Sequence, residues 1–254
     1  MHRTRLAARL STPAVLALTF LALAFGSGLG LSPAFAWTPV TEVSIAEQAA
    51  RFAPKDLERQ IDKHRGAFRQ GVLAAQQNPA VGRSLDEVLN DEIERTVDAI
   101  QNHRPFAEVV QRVGQVVHYI AAANDPLAVG SSDPAEKRYS ADYRRYVESA
   151  QPRFNIAFYG DGRQLDAPGD LGRLLRNTFS RGLSYYPMLA GEYRRIDYGD
   201  GRRKFDDRST AYGISALAYC HSISDSIGVL RYIWVRAGGA DSRTFLKLTP
   251  PRGP

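Results

Sequence analysis

Between residues 105 and 123, apolar side chains recur every third or fourth position, at Phe106, Val109, Val110, Val113, Val117 and Ile120. That spacing predicts a helix burying one stripe in a core. Pro105 suits its first turn, where a missing N–H has no partner to lose, and Asn124 with Pro126 supplies a stop. The same period recurs elsewhere. Val43, Ile45, Ala46, Ala49 and Phe52 follow a Thr41 cap, and Leu57, Ile61 and Phe68 follow Pro54, with Gly71 marking a break. Ser84 and Glu87 form a capping box ahead of Leu85, Val88, Leu89, Ile93, Val97 and Ile100. After Asp133-Pro134, an aromatic stripe runs through Tyr139, Tyr143, Tyr146 and Val147.

Helical signals continue over residues 165–197, where Gly182, Pro187 and Gly191 interrupt them and predict two helices with a kink between. The last pattern, over residues 206–237, carries Ile214, Leu217, Ala218, Ile223, Ile227, Leu230, Ile233 and Trp234, enough to cross the whole domain. Only residues 154–160 suggest a short extended connection. The expectation is an all-α single domain of about seven helices.

The first 36 residues fit none of these stripes. Arg3, Arg5 and Arg9 precede an apolar run over residues 14–25, and Ala34-Phe35-Ala36 is an A-x-A cleavage site, which predicts a signal peptide cut before Trp37. The chain then reads as a leader (1–36), a helical domain (37–247) and a disordered tail (248–254). The leader's core of about a dozen apolar residues falls short of the roughly 18 a spanning helix needs. The mature protein is expected to lack a transmembrane helix and to be exported, periplasmic or extracellular. A leader that stays uncleaved and holds the chain in the envelope is the alternative.

Removing the leader removes three of the 33 Lys and Arg residues and no acid, taking the net charge from +6 to +3. From charge alone, no nucleic-acid partner is argued. A single cysteine, Cys220, permits no intrachain disulfide, and its apolar neighbours read as those of a buried inert thiol.

Histidines and carboxylates carry the candidate chemistry. His118 has only Gly114, Ala121 and Ala122 one turn away, so its imidazole must find a partner from another element. His118-Tyr119 followed by Asn124, Pro126 and Leu127, an N-terminal Trp37 and the Phe68-x-x-Gly71 segment occur in that pattern in one known family. The chain resembles the zinc-dependent phospholipase C and S1/P1 nuclease superfamily over most of residues 37–236. The resemblance implies an all-α fold with three zinc ions that polarise a phosphodiester and activate water.

Carried over position by position, the resemblance assigns zinc to the amino group and carbonyl of Trp37 and to His118. It places Glu42 where the nuclease branch has a zinc histidine, and Asp142 at the first position of a His-x3-Glu pair. The carboxylate four residues after the central histidine and the histidine that closes the motif become Ala122 and Ala128 here. Taken by themselves, Glu42 reads as a first-turn acid complementing the helix dipole and His103 as a histidine at a helix C-terminus. His221 and Asp225, four apart, read as a bonded pair within helix packing, and the basic run at residues 198–204 as solvated surface.

Trp37, Glu42, His118 and Asp142 are therefore the candidate metal ligands. Zinc at one position is possible, and a full three-zinc cluster is not expected. The resulting expectation is an exported protein on this helical scaffold with an eroded zinc site, binding a phospholipid or other phosphoester without catalysis. The alternative is a divergent phosphodiester hydrolase with one metal held by some of Trp37, Glu42, His118, Asp142, His221 and Asp225.

Overall fold

The computed structural model describes residues 37–77, 83–130, 133–159, 165 and 169–240. The chain divides into two units, Met1–Ala34 and Phe35–Pro254, and all described residues belong to the second. The predicted signal peptide and the predicted tail lie outside the described residues.

The described residues are all-α. Eight helices of nine residues or more follow one another: α1 (Pro39–Ala50), α2 (Lys55–Lys63), α3 (Arg65–Gln77), α4 (Leu85–Gln101), α5 (Phe106–Asn124), α7 (Glu136–Ala150), α8 (Asp170–Arg195) and α10 (Thr210–Arg236). Two four-residue helices, α6 (Pro126–Val129) and α9 (Gly201–Lys204), and a 3-10 turn at Gln151–Arg153 complete them. Among the described residues no helix is long and apolar enough to cross a membrane.

Helix α5 is the hub. Its Val109, Val110, Val113 and Val117 pack with α2, α3 and Trp234 of α10. Val116 and Ile120 face α4 and α10. Ala121 and Ala122 meet Trp37 and the tyrosines of α7. Phe106, at the open first turn, stays 40% exposed, so the predicted stripe begins at Val109.

Helix α1 starts earlier than predicted. Thr38, not Thr41, caps it by accepting the Thr41 N–H, and Phe52 lies beyond the last turn in solvent. The segment after Pro54 divides at His64, whose backbone leaves helical geometry. The hydrogen bonds from His64 N–H to Gln60 O and from Phe68 N–H to His64 O span that bend.

Gly71 does not break a helix. It sits inside α3, where an added Cβ would lie 1.9 Å from Gln111 O, and Gly114 of α5 answers it with 2.2 Å to Phe68 O. Backbone meets backbone there, which no larger residue permits.

Residues 170–195 form one helix through Pro187 rather than two. Pro187 removes the donor that the Leu183 carbonyl would use, but Leu183 is 52% exposed and water can replace it. Gly182 in the same helix packs against Ala123 O and Val129. Helix α4 ends in a Schellman motif, with Arg104 N–H bonded to Ala99 O and His103 at φ 53°, so this exposed histidine stands at a helix C-terminus.

Candidate functional site

Helix α1 runs across α5 and places two of the candidate residues side by side. Glu42 lies in the first turn of α1 and is 1% exposed, and His118 on α5 is 7% exposed. His118 Nδ1 donates to Glu42 Oε2 at 3.0 Å. Glu42 is thus the partner His118 needed from another element, and burial of its side chain goes beyond what complementing a helix dipole requires. Trp37 closes the same region: its indole N–H donates to Ala121 O, one turn along α5 from His118, at 2.9 Å.

Asp125, at the end of α5, is fully buried, and its Oδ1 accepts Leu127 N–H to cap α6. Burial pushes its carboxyl from the ordinary 3.8 up to about 7. The Leu127 bond and the Arg144 charge oppose that rise, and the nearby Glu42 charge adds to it. Glu42 Oε1 and Asp125 Oδ2 are both buried without a hydrogen-bond partner. Tyr143 stands close by: burial first, then the Asp125 charge, hold its phenol well above the usual range.

Asp142 takes part in a different arrangement. One of its oxygens accepts Tyr193 O–H and Gly201 N–H, each at 2.8 Å, tying α7 to α8 and α9. An added Cβ at Gly201 would sit 2.7 Å from that oxygen, so the close approach depends on glycine. The structure thus gathers Trp37, Glu42 and His118 and commits Asp142 elsewhere. Among the described residues no three of His, Cys, Asp and Glu could share a metal ion. A three-zinc cluster, which needs several carboxylates and histidines converging on one cavity, does not fit this donor set.

His221 and Asp225 do not bond to each other. Asp225, buried on α10, accepts Thr178 O–H at 2.7 Å and the Asn124 amide at 3.1 Å, and pairs with Arg181. Three donors from α5 and α8 outbid a histidine four residues away on its own helix. The His221 ring lies against Tyr159, with centroids 4.3 Å apart, and burial followed by the Arg181 charge lowers its pKa to about 4. Cys220 is buried with its thiol pushed up by desolvation, an environment that disfavours the thiolate.

A second site lies on the outer side of α7. Asp142 forms part of an open cleft of about 500 Å³ with Arg138, Arg145, Tyr198, Gly199, Asp200 and Arg202. In sequence, the 198–204 run reads as solvated surface. A usable signal is present in the spacing, since Arg138 and Arg145 fall two turns apart on one exposed side of α7, flanking its buried tyrosines. No family model, curated protein or solved structure matches the chain.

Proposed function

We propose that this is a non-catalytic binding protein, exported and built on a scaffold similar to that of the phospholipase C and P1 nuclease superfamily. The observation that carries the reading is that, among the described residues, no third His, Cys, Asp or Glu joins His118 and its 3.0 Å partner Glu42 to share a metal ion. The imidazole that the resemblance assigns to zinc spends one nitrogen on a carboxylate inside the packing. Ala122, where the family has a zinc carboxylate, is buried among Trp37 and other apolar side chains and offers no lone pair. A phospholipid or other phosphoester is the ligand class the resemblance supports.

One observation favours a second reading, a divergent one-metal phosphodiester hydrolase. Glu42 Oε1 and Asp125 Oδ2 are each buried without a hydrogen-bond partner, and a bound cation is one way to satisfy such an oxygen. Ala122→Asp separates the two readings, because it restores a carboxylate one turn from His118. On the binding-protein reading the variant loses on the order of 1–3 kcal/mol for an unpaired buried group, and zinc leaves its Tm unchanged. A zinc-dependent rise in Tm, in the variant or in the wild type if the variant does not fold, would favour the hydrolase.

A further inference from the structure

The cleft beside α7 places three guanidinium groups around one opening, and each is held differently. Arg138 lies over the Tyr198 ring at 4.0 Å from its centroid, with Asp197 at 4.0 Å as a distant, solvent-exposed partner. Such an exposed pair contributes little. Among the described residues neither Arg145 nor Arg202 has a carboxylate within ion-pair distance, although both line a concave surface that contains two acids. One oxygen of each acid is engaged elsewhere. Asp142 accepts the Tyr193 hydroxyl and the Gly201 amide, and Asp200 caps α9 by accepting Arg202 N–H at 3.0 Å.

The backbone that brings Arg202 into place is also fixed. The turn after α8 passes through two left-handed residues, Asp197 at φ 50° and Tyr198 at φ 55°, closed by Tyr198 N–H bonded to Tyr193 O at 2.8 Å. Gly201 then docks against Asp142 and Tyr193. Arg145 and Arg202 therefore project from elements locked to each other through a buried tyrosine. The separation of their backbones is set by the fold.

We infer that this cleft binds a phosphate group, with Arg145 and Arg202 as its direct ligands and Arg138, braced on Tyr198, completing the cationic wall. A planar guanidinium offers parallel N–H donors that match two oxygens of a phosphate, and charge-assisted bonds of this kind are about twice as strong as neutral ones. Three cations against two carboxylates leave the cleft one positive charge in excess, the sign a phosphate group requires. The inference rests on the binding-protein reading only in treating the phosphate as ligand rather than substrate, and its residues are separate from Trp37, Glu42 and His118.

The test is titration of the full chain with inorganic phosphate at low ionic strength, against chloride at matched ionic strength, for the wild type, Arg145→Ala, Arg202→Ala and Arg145→Lys. Phosphate should bind in preference to chloride. Either alanine variant should weaken it about tenfold, and lysine should recover only part because it keeps the charge and loses the fork. Both positions are exposed, so Tm without phosphate should stay unchanged in all three variants. Co-sedimentation with phosphatidylcholine vesicles containing phosphatidic acid identifies the source. Vesicle binding lost in the same variants assigns a lipid headgroup, and phosphate binding without vesicle binding assigns a soluble phosphoester. Phosphate binding no tighter than chloride, or equal in wild type and both alanine variants, overturns the assignment. Zinc loading with phosphate still bound at Arg145 and Arg202 would overturn the non-catalytic reading and leave the cleft standing.

Discussion

Glu42, His118 and Asp125 put charge chemistry inside an apolar interior, and Asp125 makes that measurable. Its carboxyl binds a proton more tightly in the folded chain, with the value raised to about 7, than in the unfolded one. The stabilisation from that proton is complete below about pH 4, declines as pH rises, and is gone above about pH 7. A rise of about three decades in proton affinity corresponds to roughly 4 kcal/mol as an order of magnitude. Asp125→Asn keeps an oxygen for Leu127 N–H and removes the titration, so it should abolish this falling limb. His221 acts in the opposite sense: with its value lowered to about 4, it favours the folded state as pH rises towards 6.5. The observable is therefore the difference between variant and wild type in urea midpoints from pH 4 to 8. Superimposable profiles would show that Asp125 does not hold its proton in the folded state.

At the level of elements, glycine decides how closely α3 and α5 approach. Gly71→Ala and Gly114→Ala each drive a methyl group into opposing backbone and should destabilise by about 1–3 kcal/mol or more. Gly66, also in α3, has no atom within 4 Å of an added Cβ, and Gly66→Ala should stabilise by about 0.5–1 kcal/mol. Equal effects in thermal melts would refute the close-approach argument. These glycines show why some of the fold was legible and some was not. The Val109 to Ile120 stripe and the Tyr139, Tyr143, Tyr146 and Val147 stripe could be read because burial follows helical period. Gly71 looked like a break because sequence records its helix propensity but not the neighbour that requires its missing Cβ. Pro187 looked like a kink because the exposure of Leu183 is a tertiary fact. The Glu42 to His118 bond spans 76 residues, and no local pattern distinguishes that glutamate from an ordinary first-turn acid. In sequence, Asp225 reads as the partner of His221, because the helix neighbour is visible there and Thr178, Asn124 and Arg181 are not.

Among the described residues, the candidate site and the arginine cleft occupy different places in the same helical unit. Trp37, Glu42, His118 and Asp125 lie within it, where α1 crosses α5. The arginine cleft opens outside it, on α7, the turn after α8 and α9. The central claim is that the interior arrangement serves packing and that ligand chemistry has moved off the histidine. Metal content of the purified full chain, measured for the wild type and for His118→Ala after exposure to stoichiometric zinc and removal of excess, tests that claim most directly. The account predicts well under one zinc per chain in both proteins, and one or more tightly held zinc ions in the wild type, lost in His118→Ala, would contradict it.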